Sequence, residues 1–169
     1  SPLAPPALRR NAPMPLASTD HDAVALAQFG PLRRAEVLLV QACTTGEIAK
    51  VGLRRPEAPS GERSIRARLL SFILRGGIQL PGRRIELMGA WIEGRLDLGD
   101  LAFNGTLWFY RCSFDLPVVL DNARISGSVT FSGCAMPSLL ADDLGVAKDL
   151  VLNAGCSVHS SSAEHRSAP

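Results

Sequence analysis

The chain has 169 residues, enough for one ordinary domain or two small ones. Apolar residues make up 46% and aromatics 5%, so a core can be buried but few large anchors are available to it. A net charge of +2 is too small to demand a nucleic-acid partner, and no apolar run approaches the roughly 18–20 residues of a membrane span.

Arg replaces Lys almost throughout, with Lys only at 50 and 148, which points to a GC-rich bacterial coding sequence. Residues 1–77 carry eleven basic against six acidic side chains, and residues 78–156 carry six against nine. The opening stretch, SPLAPPALRRNAPMPLAS, is Pro-rich and lacks the apolar run of a signal peptide, so residues 1–19 read as a disordered arm. With no export signal the expected location is the cytoplasm, where the four Cys are free thiols.

Residues 20–76 read as a helical cap region. DHDAVALAQFG opens with Asp20 as an N-cap and stops at Gly30. PLRRAEVLLVQACTTGE places Pro31 in a first turn and Gly46 at the stop. RRPEAPSGER is a loop. SIRARLLSFILRGG is the clearest helix, capped by Ser64, with Ile65, Leu69, Phe72 and Ile73 at 3.6-residue spacing and Gly76-Gly77 at its end.

From residue 77 the rhythm changes. Apolar residues come in pairs two apart, and the pairs recur every eleven residues. One set is Leu96/Leu98, Leu107/Phe109, Val118/Leu120, Val129/Phe131, Leu139/Ala141 and Leu150/Leu152. The other is Ala90/Ile92, Leu101/Phe103, Cys112/Phe114, Ala123/Ile125, Cys134/Met136 and Leu144/Val146. At the overall apolar content, chance agreement at all these positions is on the order of one in a hundred million, so the period is real. On a helix these offsets form no stripe, and Pro117 and Pro137 interrupt the run. Three-residue strands, two side chains in and one out, satisfy the pattern. The corners between them are Gly99-Asp100, Asn104 to Thr106, Tyr110-Arg111, Asp115 to Pro117, Asp121-Asn122, Ser126 to Ser128, Ser132-Gly133 and Asp142-Asp143, with positive φ expected at Gly105. Four such sides close a coil of about twenty-two residues. The fold class is therefore mainly β: a short four-sided parallel β-solenoid over 77–156 with an α-helical N-terminal cap region. Residues 157–169 read as a disordered tail.

Ala123-Arg-Ile125, Cys112-Ser-Phe114 and Cys134-Ala-Met136 resemble the pentapeptide-repeat pattern, in which a small residue, often Ala or Cys, stands two places before a central Leu or Phe. The resemblance covers about 85–156 and implies a right-handed quadrilateral β-helix. The repeat here averages five and a half residues, so the chain is similar to a long-period relative. Some members of that family mimic duplex DNA, which implies an inhibitor of a nucleic-acid enzyme as one alternative function.

No residue pattern points to catalysis, a metal or a cofactor. Cys112, Cys134 and Cys156 are one coil apart and read as small core residues, because zinc wants ligands converging at closer spacing. His21, His159 and His165 lie near the ends without a nucleophile partner, and the Asp residues other than Asp97 sit at corners. The Arg pairs 9/10, 33/34, 54/55 and 83/84 have no interleaved aromatics to stack bases, so no nucleic-acid partner is expected. Outward positions carry more information. One side presents Asp97, Val119 and Leu140; the opposite side presents Trp108, Thr130 and Val151, with Tyr110 at the adjoining corner. Apolar side chains stacked outward need a cover. These residues form the expected contact surface for an unknown protein partner or a homodimer, which makes the chain a non-enzymatic interaction or scaffold module. No C-terminal cap comparable to the N-terminal helix is visible, so a continuing chain or another molecule is expected there.

Overall fold

A computed structural model describes residues 16–153 and 157–158, with side chains for 21–152. The chain divides into two units, Ser1–Pro31 and Leu32–Pro169. In the first, helix α1 (Leu16–Leu26) runs into a 3-10 turn, Ala27–Phe29, that ends at Gly30 with φ 70°. The helix starts four residues before Asp20, which lies inside it rather than capping it.

The second unit is a parallel β-solenoid of about three turns. Among the described residues sixteen strands, numbered in chain order, stack as four sheets. Face 1 holds β1 (Ile48–Lys50), β3 (Arg84–Met88), β7 (Thr106–Tyr110), β11 (Val129–Ser132) and β15 (Leu150–Asn153). Face 2 holds β2 (Ser64–Arg66), β4 (Trp91–Glu93), β8 (Ser113–Phe114), β12 (Ala135–Met136) and β16 (Ser157–Val158). Face 3 holds β5 (Leu96–Asp97), β9 (Val118–Val119) and β13 (Leu139–Leu140), and face 4 holds β6 (Ala102–Phe103), β10 (Arg124–Ile125) and β14 (Gly145–Val146). Coils pair in register at a step of twenty-one or twenty-two residues, for example Leu87 with Phe109 with Phe131 with Leu152.

Two of these strands fall within the stretch that reads as helical. β1 pairs with β3 and β2 pairs with β4, so the solenoid begins at Ile48. Helix α2 (Arg34–Thr45) precedes them, begun at Arg33 rather than Pro31 because the Glu36 carboxylate accepts the Arg33 N–H at 2.9 Å, and closed by Gly46 at φ 79°. Helix α3 (Ala67–Phe72) starts two residues later than a Ser64 cap would set it, with Arg66 at the cap position. Ile65 stacks on Ile92 in the core and Ser64–Arg66 hydrogen-bond as a strand, so tertiary pairing overrides local helix propensity. α3 continues as a π-helical turn, Ile73–Gly77, with Gly76 at φ 97°. The helix packs on β5 and the turn on β6, which puts them where the third and fourth sides of the top coil would lie.

Nineteen of the twenty-four paired apolar positions are buried. The other five, Ala141, Leu144, Val146, Leu150 and Leu152, all belong to the last coil, and Leu150 and Leu152 are each 45% exposed. The core carries an aromatic stack: Phe109 lies on Phe131 at 5.2 Å between ring centroids, and Phe114 meets both edge-on at 5.5 and 5.9 Å.

Corners repeat from coil to coil. Gly89, Arg111 and Gly133 form one column of left-handed residues, φ 74°, 49° and 67°, and Asp100, Asn122 and Asp143 form another at 59–60°. Gly105 departs from expectation: it is not among the positive-φ residues, and close approach explains it instead. A Cβ there would stand 2.0 Å from the Arg83 carbonyl oxygen of the coil above.

One buried ion pair ties α2 to the first coil. Glu36 is fully buried, and its oxygens accept from the Arg66 backbone N–H (2.9 Å), Nε (2.9 Å) and Nη2 (2.8 Å) as well as from Arg33. Burial alone would push the carboxyl up; the Arg66 and Arg33 hydrogen bonds and the Arg66 charge outweigh it and hold it below its ordinary value. A depressed carboxylate stabilises above its unfolded pKa of about 4.3, and the contribution disappears as pH falls through the folded value. Glu36→Gln removes the buried carboxylate that binds the Arg66 fork and is expected to cost about 3–5 kcal/mol at pH 7. In urea melts from pH 7 to pH 3 the gap between parent and variant should hold down to about pH 5 and close below pH 4. Separately, Gly105→Val should lower Tm far more than Ser126→Val, since the first collides with backbone and the second replaces an exposed hydroxyl bonded to Asn104.

Candidate functional site

Alternation along β7 and β11 turns Leu107, Phe109, Val129 and Phe131 inward and leaves Trp108, Tyr110 and Thr130 outward. Trp108, Thr130 and Val151 are register partners, so the structure brings the expected column together. All three are half-buried, as is Tyr110. The Trp108 and Tyr110 rings lie 5.0 Å apart, tilted by 38°. The Trp108 indole N–H is buried and meets no acceptor among the described residues.

Sequence reasoning missed Glu86. It stands directly above Trp108 in the register, is 7% exposed, and accepts a hydrogen bond from Arg84 Nη2 at 3.2 Å. Its signal was present: Glu86 lies twenty-two residues before Trp108, but β3 falls before the first clear apolar pair. Burial, and then the Glu86 charge, push the Tyr110 phenol up. Face 1 thus presents an aromatic pair beside a shielded carboxylate.

Val119 and Leu140 are register partners on face 3 below Asp97. Leu140 is half-buried and Val119 is 9% exposed. The two columns occupy different sheets, so the six residues form two surfaces rather than one.

The loop 51–63 is a strap. In the next three coils two residues join face 1 to face 2 (β3 to β4, β7 to β8, β11 to β12); here thirteen intervene between β1 and β2. Three successive coils hold the strap. Val51 N–H donates to the Met88 carbonyl at 2.9 Å, Arg63 Nε to Gly89 at 3.0 Å, Arg111 Nη1 to Leu53 at 3.0 Å, and Arg55 Nη1 to Gly133 at 3.0 Å. The Ser113 hydroxyl donates to the Pro56 carbonyl at 2.5 Å, and Pro56 is buried.

These bonds also explain the arginines. Arg34, Arg55, Arg63, Arg75, Arg111 and Arg124 each donate to backbone carbonyls, and Arg33 pairs with Glu93. A planar five-donor fork reaches corner carbonyls that the parallel ladder leaves open, a task a Lys point charge does poorly. Arg9 and Arg10, Cys156, His159 and His165 lie outside the described residues; His21 is exposed on α1.

Cys112 and Cys134 stack in register on the inner side of face 2, fully buried, their thiols donating to the carbonyls of Tyr110 (3.4 Å) and Phe109 (3.3 Å). Burial pushes the Cys112 thiol well up, and pushes Cys43 up to about 12. Among the described residues no group of three or more His, Cys, Asp or Glu is placed to hold a metal ion, and no helix is long and apolar enough to cross a membrane. No protein-family model, curated protein or solved structure matches this chain.

Native protein is expected to leave Cys43, Cys112 and Cys134 unmodified by a thiol-reactive disulfide reagent over the time in which denatured protein reacts completely. Fast labelling of Cys112 and Cys134 without denaturant would mean that their side chains do not face inward.

Proposed function

We propose that the chain is a non-enzymatic protein-interaction or scaffold module, a long-period relative of pentapeptide-repeat proteins, that presents face 1 to a partner or a second copy. The observation that carries this reading is the Trp108–Tyr110 pair, 5.0 Å apart, in column with Thr130 and Val151 on a sheet in which β7 and β11 are hydrogen-bonded to a coil on each side. Trp and Tyr supply large contact area at small entropic cost and are enriched among interface hot spots. Three buried thiols suit a reducing, cytoplasmic setting.

A second reading draws on the acidic corner between faces 3 and 4, where Asp100, Asp121, Asp142 and Asp143 lie one coil apart or adjacent. It supports DNA mimicry only over three coils, and Arg75 and Arg124 stand beside it. Such mimicry needs a longer and more acidic stripe.

Trp108→Glu separates contact from core. As a contact residue, its replacement should leave the melting temperature within about 2 °C of the parent while abolishing a dimer or partner complex seen by light scattering. Burial of Trp108 under the chain's own segments would instead make the same change cost several kcal/mol, because an unpaired carboxylate is then buried. Unchanged assembly in a folded variant would end the face 1 reading.

A further inference from the structure

Face 4 and the ridge between faces 1 and 2 both carry arginines, in different surroundings. On face 4 a shallow groove, a trough of about 510 Å³ over Ala102, Arg124 and Gly145, runs beside the acidic corner, so both signs of charge meet there. On the ridge the cations prevail. The strap lays its first half along this ridge, and guanidinium groups stand on it at three successive coils. Arg63 donates to the Gly89 carbonyl, Arg111 occupies the same corner one coil on, and Arg55 donates to the Gly133 carbonyl one coil further. Coils are about 4.8 Å apart, so the three groups span about 10 Å. Arg54 is exposed and lies on the strap between Leu53, which Arg111 holds, and Arg55.

Backbone carbonyls fix these groups but cancel no charge. Among the described residues no carboxylate pairs with Arg54, Arg63 or Arg111. Arg63 uses Nε and Nη2 on the carbonyls of Gly89 and Arg54, and Arg111 uses Nη1 on that of Leu53, which leaves further N–H donors on each fork. Gly52 lacks a Cβ where the Arg63 guanidinium lies. Arg111 stands at φ 49°, a left-handed position that glycine fills in the coils above and below, so backbone strain is accepted to keep a cation there. The flanks do not neutralise the ridge. The face 1 column beside it is Lys50, Met88, Tyr110 and Ser132, without a carboxylate. Glu86, in the next column, is shielded and held by Arg84. Glu57 and Glu62 are exposed on the second half of the strap, past Pro56, where the chain has crossed to face 2.

In sequence the arginine pairs have no aromatics between them. The fold supplies them: the strap carries Arg54 and Arg55 to the corner where Tyr110 adjoins Arg111, and the Trp108 ring stands 5.0 Å from that of Tyr110. A line of cations beside aromatic rings provides the two parts of a single-strand site, one for phosphates and one for base faces. The ridge is as long as about three stacked nucleotides at roughly 3.4 Å each.

We propose that this ridge binds a short stretch of single-stranded nucleic acid, its phosphates on Arg54, Arg55, Arg63 and Arg111 and a base on Tyr110. The site goes beyond the face 1 reading: it adjoins that face, shares its ring pair and requires no protein partner.

The test uses the full chain and a dye-labelled ten-nucleotide oligothymidylate, followed by fluorescence polarisation, with a duplex of the same length and a doubly phosphorylated serine peptide as alternative probes. The single strand should bind, and raising salt from about 50 to about 200 mM should weaken it about tenfold to twentyfold. Arg54→Glu, whose parent side chain holds no strap bond among the described residues, should weaken binding at least about fivefold, and Tyr110→Ala by a similar factor. Should Tyr110→Ala fail to fold, Arg54→Glu still decides. No binding of the single strand, duplex binding as tight as single-strand binding, or parental affinity in Arg54→Glu or in a folded Tyr110→Ala overturns the proposal. Tighter binding of the phosphoserine peptide also overturns it and makes the occupant a modified protein. Arg54→Glu leaves Trp108 in place, so loss of this site and loss of the face 1 contact are distinguishable.

Discussion

Everything in this fold depends on stacking each inward pair of side chains on the pair one coil above. Parallel strands of two to five residues make too few hydrogen bonds to be stable alone. Their stability comes from the ladder, in which Leu87, Phe109, Phe131 and Leu152 share one column and Ile65, Ile92 and Phe114 share another. A coil of the wrong length would carry its inward residues out of column. That is why a step of twenty-one residues appears only where a corner can absorb it, and why long excess chain is confined to one corner as the strap.

A stack held this way has two exposed problems, its ends. At the top, the third and fourth sides are replaced by α3 and the π-helical turn, and α2 is fastened by the Glu36–Arg66 pair. A buried ion pair is a poor source of net stability but a selective one, because Arg66 satisfies Glu36 only when β2, α2 and the start of α3 are all in place. At the bottom, Leu150 and Leu152 occupy inward positions and yet remain 45% exposed. The same side-chain pattern that fills the core elsewhere is half-filled there, since a solenoid coil buries its apolar face only against a neighbour.

The solenoid was legible in the sequence because its signal is repeated. Twelve apolar pairs at fixed spacing leave one register, and every pair from Ala90 to Leu139 is found inward. The top coil was not legible for the opposite reason. Ile48–Lys50 and Ser64–Arg66 occur once, separated by thirteen residues, and SIRARLLSFILRGG carries a real helical period that its first three residues do not obey. Partner choice decides those residues, and partner choice is not written in local periodicity. Of the candidate surface, the columns Trp108–Thr130–Val151 and Val119–Leu140 could be read from spacing alone. Glu86 shares that spacing but falls before the first clear apolar pair; the strap contacts and the trough on face 4 could not be read, because each depends on which side chain is absent or which distant carbonyl is near.

The outward faces follow from the same ladder and are unequal for a physical reason. An inward residue is constrained by the coil above and the coil below; an outward one is constrained only by what lies over it. Face 2 is covered by the strap, and its outward column accordingly narrows from Trp91 to Ser113, which bonds Pro56, and to Ala135. Face 1 keeps its bulk, with Glu86 and Trp108 in one column. Face 4 loses its bulk at Ala102 and Gly145, and nothing in the strap reaches it. Gly145 cannot be explained by corner geometry, since it lies within a strand and has no positive φ. Its lack of a Cβ serves Arg124, whose stem crosses it, so the groove and the position of its central cation share one cause.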